Sequence, residues 1–282
     1  MYAACGSCRQ RFHQDKFHLD KGILVTQQSL HIETIGQGRP IVMLHGWGVN
    51  SAVFNPLHDV MHNYQIHYVD LPGFGNSSAI EGDLDAWVDY IMAQVPSQAI
   101  WVGWSLGGLV ATRAALRYPK QVAALATIAS SPCFMARDDE GWPGIPPQVL
   151  GQFGDQLDRD LGKMVERFLA IQAMGSETAK QDIKQLRDLV MAKPLPDAIA
   201  LKQGLTMLKD VDLRPQLDEL TLPWFRVWGR LDGLVSRRVQ PLMPTKAAFS
   251  DLVLPKASHA PFFSHKREFV TGMTDWLATL PR

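Results

Sequence analysis

From about residue 27 the chain alternates short apolar or β-branched runs with stretches of helical periodicity. Residues 30–35 alternate apolar and polar positions, the pattern of a half-buried edge strand. Five further runs are almost wholly apolar: PIVML (40–44), IHYV (66–69), AIWV (99–102), Val122–Ile128 and WFRVW (224–228), with LVL (252–254) closing the series. Uninterrupted apolar strands separated by helices predict βαβ units and a mainly parallel sheet covered on both faces.

The rhythm breaks between residues 133 and 208. That stretch opens on a Gly/Pro-rich connection, GWPGIPP, and continues as helices. Its length predicts a helical cap (133–208) inserted into a core made of 27–132 and 209–282. Residues 161–172 place Leu161, Met164, Val165, Phe168 and Leu169 on one helical face, with Lys163 and Arg167 opposite. A second helix, from an N-cap at Ser176 to residue 193, carries Ala179, Ile183, Leu186 and Val190 on one stripe. Lys180, Lys184 and Arg187 form the neighbouring stripe. Apolar faces turned inward suit an aliphatic chain. Basic faces turned outward suit an acidic partner, or are simply solvated faces interleaved with Glu166, Asp182 and Asp188.

Composition narrows the class. Hydrophobic residues make up 46% of the 282 and charged residues 20%, so the chain is neither disordered nor fibrous. Lys+Arg and Asp+Glu are 28 each, which argues against a wholly basic nucleic-acid surface. No apolar run is long enough to span a bilayer. Three cysteines cannot build a disulfide framework, which fits a reducing cytoplasm. Residues 1–26 read as a polar, basic extension. They hold Cys5, Cys8, His13 and His18, a spacing that could complete a tetrahedral zinc site. A single C-x-x-C with no supporting second-shell groups favours an extension without metal.

Gly103-Trp104-Ser105-Leu106-Gly107 matches G-x-S-x-G. An apolar strand precedes it and a strong helical pattern follows, the strand–turn–helix setting that strains a serine outward as a nucleophile. A serine hydroxyl needs a general base, and the base needs an orienting acid. Of the nine histidines only His259 and His265 follow Ser105. His259 lies in the KASHAPF loop after the last strand and is the expected base; His265 opens the final helix and is expected to face solvent. Asp232, in GRLDGLV, follows a strand at its C-terminal end, the edge where open parallel sheets collect their sites. Asp251 is expected to begin a strand at the opposite edge, and Asp210 and Asp212 precede theirs.

An oxyanion needs two backbone N–H groups. Leu106, at the start of the helix after Ser105, and Trp47, in the HGWG loop, are the expected donors. His45 reads as a structural histidine bonded to backbone, and Cys133 as a buried small hydrophobe. The GFG of DLPGFG lacks the rest of a dinucleotide fingerprint.

Together these residues resemble the α/β-hydrolase superfamily. HGWG, VDLPGFGNS, WVGWSLGGLVA, ASSPCF with WPGI, VERFLA, VDLRPQL, LDGLV and SHAPF resemble, more narrowly, the pimeloyl-[acyl-carrier protein] methyl ester esterases of bacterial biotin synthesis. The resemblance covers nearly everything from residue 28 onward. Apart from the resemblance, the protein is expected to be metal-free, monomeric and cytoplasmic; the resemblance implies an α/β-hydrolase fold and a cofactor-free serine esterase acting on an acyl-carrier protein that carries a methyl pimeloyl chain. It implies the triad Ser105, Asp232 and His259, the oxyanion hole of Trp47 and Leu106, and an acyl channel along Phe168, Leu169, Ala170, Ile171 and Gln172. It favours Lys163, Arg167, Lys180 and Lys184 as the carrier-protein dock. The extension before residue 28 is a departure from that pattern. Alternatives are a general carboxylesterase or carbon–carbon bond hydrolase of the same superfamily, and a binding protein that kept the fold without the activity.

Overall fold

The computed structural model describes residues 28–61, 63–157, 159, 161–172 and 179–281. The zinc spacing at Cys5, Cys8, His13 and His18, the extension 1–26 and the N-cap at Ser176 fall outside the described residues.

Seven strands form one sheet: β1 (Ile32–Ile35), β2 (Arg39–Leu44), β3 (Tyr64–Val69), β4 (Ala99–Trp104), β5 (Val122–Ile128), β6 (Trp224–Gly229) and β7 (Phe249–Leu254). Their order is β1-β3-β2-β4-β5-β6-β7. Only β1 pairs antiparallel, with β3; every other pairing is parallel. The inner strands are therefore covered on both faces, and all six residues of β4 are buried. The edge strands β1 and β7 are half-buried or exposed instead, apart from the buried Leu254 that ends β7.

The helices are α1 (Leu84–Met92), α2 (Leu106–Arg117), α3 (Pro147–Leu157), α4 (Leu161–Gln172), α5 (Ala179–Val190), α6 (Ala198–Asp210), α7 (Pro261–Ser264) and α8 (Lys266–Thr279). Four of them, α3 to α6, stand between β5 and β6. On α4, Phe168 and Leu169 are buried while Lys163, Glu166 and Arg167 are exposed. On α5, Leu186 and Val190 are buried while Lys180, Lys184 and Arg187 are exposed. Glu166 and Arg187 pair at 2.7 Å across these two helices. The side chains of Leu161, Met164, Val165, Ile171 and Gln172 lie outside the description. Asp182, expected on a solvated face, is buried.

Asp251 also departs from expectation. β7 begins at Phe249, so Asp251 is its third residue rather than its first. It accepts from the Arg226 guanidinium at 2.9 and 2.6 Å and from the Trp228 indole at 2.6 Å. Arg226 lies in β6 and is 2% exposed; the carboxylate supplies the counter-charge a buried guanidinium needs. The strand thus reaches past the apolar LVL core, paired with β6 from Trp224 opposite Phe249.

Candidate active site

Parallel strands in register put their C-terminal ends along one edge of the sheet. Leu44 pairs with Gly103, and Gly229 with Leu254. The loops that leave β2, β4, β6 and β7 therefore meet above that edge. They carry Trp47, Ser105, Asp232 and His259.

Ser105 sits between β4 and α2 with φ +54° and ψ −119°. A non-glycine residue at positive φ costs about 1–3 kcal/mol, so surrounding contacts must hold it. The Ser105 N–H donates to Ile128 O at 3.0 Å, and the Ser130 hydroxyl donates to Ser105 O at 2.8 Å. The elbow closes because Gly107 has no side chain where the Leu44 and His45 carbonyls press against it. Gly46 passes directly over the nucleophile: a Cβ there would lie 3.2 Å from Ser105 Cβ and 3.3 Å from the Trp104 ring.

Asp232 and His259 form a buried pair. Asp232 Oδ1 accepts from the amides of Leu234 and Val235 at 2.8 and 2.9 Å, which fixes the carboxylate. Its Oδ2 lies 2.9 Å from His259 Nδ1. The carboxylate holds the proton on Nδ1, so Nε2 carries the lone pair. Nε2 is buried and has no hydrogen-bond partner among the described residues, Ser105 included. The indole N–H of Trp104 donates to His259 O at 2.7 Å and holds the loop over the elbow.

Leu106 is the first residue of α2, where helix geometry leaves the N–H without an intrahelical partner. The Trp47 indole N–H donates to Leu201 O on α6 at 2.9 Å. Its ring packs edge-on against Phe153 and Phe168, with centroids 5.9 and 5.0 Å away. His45 is structural: its Nε2 accepts from the Leu71 N–H at 2.9 Å and its Nδ1–H donates to Gly46 O at 2.8 Å. Burial pushes its pKa down to about 4, with Lys193 adding to the effect and Asp70 and the Gly46 bond opposing it.

The other acidic candidates lie elsewhere. Asp212 is bound by Arg214, and Asp210 is exposed. His265 caps α8 and bonds the Ser264 hydroxyl at 2.9 Å.

The sequence pattern of the alpha/beta hydrolase fold family matches residues 39–266. The chain belongs to the α/β-hydrolase fold family. Within it, the chain is 69% identical over 250 residues to a pimeloyl-[acyl-carrier protein] methyl ester esterase from Shewanella woodyi, covering 88% of this chain and 98% of that one. It is 47% identical to the protein of the same name from Aliivibrio fischeri, over 88% of this chain and 97% of the other. Among solved structures, an esterase from Exiguobacterium antarcticum aligns with a TM-score of 0.79 at 22% identity, over 89% and 96% of the two chains. At that identity the likeness shows the fold alone.

In this α/β-hydrolase a narrow slot, with a cavity volume of only about 20 Å³, lies at Ser105. Trp47, Phe134, Phe153, Phe168, Leu205 and Leu234 line it. Of the expected acyl-channel run, Phe168 lines the slot. Leu169 is buried and Ala170 half-buried, but neither lines it, because they point away from Phe168 around the helix. The walls from α3 and α6 carry no motif; only the folded chain brings them to Ser105. A larger open groove of about 640 Å³, bounded by Asp85, Arg113 and Met207, lies on the other side of α6 and contains none of the triad candidates. Among the described residues no group of His, Cys, Asp and Glu could hold a metal ion, and no helix is long and apolar enough to cross a membrane.

Proposed function

We propose that this serine ester hydrolase cleaves the methyl ester of pimeloyl-acyl-carrier protein, releasing methanol and the free acid on its carrier, as a step of biotin synthesis. The observation that carries the reading is the high identity, over nearly their full length, to esterases named for that substrate.

The site chemistry fits an ester. Ser105 attacks the carbonyl while His259 Nε2 takes its proton. The amides of Trp47 and Leu106 face the oxyanion, and the α2 dipole assists. Methanol leaves with the proton from His259. Water then attacks the acyl-enzyme by the same roles reversed. Asp232 keeps the imidazole in the tautomer that makes Nε2 the base; the 2.9 Å contact to Nδ1 supports that role. The methylene chain enters along the apolar slot, whose side-chain walls part to admit it. The exposed cations Lys163, Arg167, Lys180 and Lys184 on α4 and α5 form the dock for the acidic carrier. The helices α3 to α6 act as the cap, and the working unit is a monomer.

A rate comparison on purified enzyme tests this, using methyl pimeloyl-acyl-carrier protein and p-nitrophenyl acetate, with Ser105→Ala as control. Strong preference for the carrier-linked ester, lost in the variant, is expected. Turnover of the aryl ester alone would overturn the substrate while keeping the nucleophile.

A further inference from the structure

The loop after β2 is tied to the inserted helices at three places. The Trp47 indole reaches Leu201 O on α6. The Asn50 side-chain amide donates to Val190 O, the last residue of α5, at 2.9 Å. Lys193, just beyond α5, donates to the Ser51 hydroxyl at 2.8 Å and to both oxygens of Asp70 at 3.1 and 3.0 Å.

Asp70 follows β3 and is completely buried; Lys193 is 15% exposed at its side chain. The same carboxylate accepts from the amides of Ser51 and Asn76 at 2.8 and 3.0 Å. Asp70 thus holds the end of the 45–51 loop from below while Lys193 holds it from the helices above. A buried ion pair adds little net stability over an apolar replacement, since desolvation offsets the attraction. What it does fix is a single geometry. Here that geometry is the spacing between the end of α5 and the loop that carries the Trp47 amide.

We propose that the Lys193–Asp70 pair is a positioning latch that sets the oxyanion loop against the inserted helices, so that the acyl slot and the oxyanion hole come into alignment together. The proposal deepens the reading above and rests on it for the role of the Trp47 amide. Lys193 and Asp70 touch no reacting atom. They act through Ser51 and the loop.

The test is kinetic, on the full chain. Lys193→Met removes the cation and keeps most of the stem. Asp70 is then left buried without its partner, so Lys193→Met combined with Asp70→Asn is made as well. Lys193→Arg retains the charge. Thermal melting identifies which variants are folded at the assay temperature. In folded Lys193→Met or in the double variant, kcat for p-nitrophenyl acetate should fall roughly 30-fold with KM changed less than about threefold, as expected when a catalytic group is displaced by a fraction of an ångström. The rate of Ser105 labelling by a fluorophosphonate should fall in parallel, and Lys193→Arg should recover most of both. A lowered melting temperature with kcat and labelling unchanged would make the pair a structural brace only and overturn the proposal. The aryl ester and the fluorophosphonate do not involve the carrier protein. If wild-type enzyme ignores the carrier-linked ester while these two readouts still respond to Lys193, the substrate assignment fails and the latch stands.

Discussion

The indole N–H of Trp104 lies 2.7 Å from the backbone oxygen of His259, so the residue before the nucleophile carries the loop of the base. The same ring packs edge-on against Phe262 at 5.1 Å, just beyond that loop. Trp104→Phe should keep the ring contact and lose the hydrogen bond, leaving a buried carbonyl unpaired at a cost of about 1–3 kcal/mol. Steady-state kinetics should show kcat about tenfold lower with KM little changed, because the base and not the slot has moved. Wild-type kcat in this variant would mean the loop is held without the indole.

His45 predicts a dependence of stability on pH. Its folded pKa is about 4, against an ordinary value of 6.5, because burial disfavours the charged ring. Between those values the unfolded chain takes up a proton that the folded chain does not. Stability is therefore whole above pH 6.5 and falls as the pH drops toward 4, by up to about 3 kcal/mol. Protonation would also turn Nε2 into a donor facing the Leu71 N–H. Thermal melts across that window should slope more steeply for wild type than for His45→Gln. Equal slopes would assign the acid sensitivity to other groups.

Phe168 packs edge-on against both Trp47 and Phe153, with centroids 5.0 and 5.8 Å away, and is 5% exposed. Phe168→Ala should destabilise the enzyme by about 3 kcal/mol and open one wall of the slot. KM for a methyl ester of a long acyl chain should rise about tenfold relative to an acetyl ester. A uniform change for both chain lengths would place the acyl chain elsewhere.

Reversing Lys163, Arg167, Lys180 and Lys184 to Glu should raise KM for the carrier-linked ester at least about tenfold and leave p-nitrophenyl acetate unaffected. The wild-type KM for the carrier substrate should itself rise with salt, since exposed charges are screened.

The strands were legible because all but the alternating first one are short apolar runs, and the parallel sheet followed from their spacing. Ends were less so: FSD before LVL carries no apolar run, yet it pairs in register with β6, where Asp251 meets Arg226. The triad candidates could be ranked by chain order and by which strand end precedes each. The slot could not. Phe134, Phe153, Leu205 and Leu234 come from separate elements, and no periodicity relates them to Ser105. The Lys193–Asp70 contact spans 123 positions and leaves no local trace. Asp182 shows the same limit on a helix: alternation with lysines suggested a wet face, and the fold buries it.

The inserted helices leave the sheet at the end of β5 and return at the start of β6, and those strands are hydrogen-bonded neighbours, with Leu125 opposite Trp224. The strands on either side keep their register whatever the intervening segment contains. That arrangement makes the insert an exchangeable part: a different helical segment with the same exit and entry could be grafted without re-forming the sheet or the nucleophile elbow. Such a chimaera would have to bring its own partners for Trp47, Asn50, Ser51 and Asp70; with those supplied, the choice of acyl group would change with the graft while the hydrolytic chemistry stayed in place.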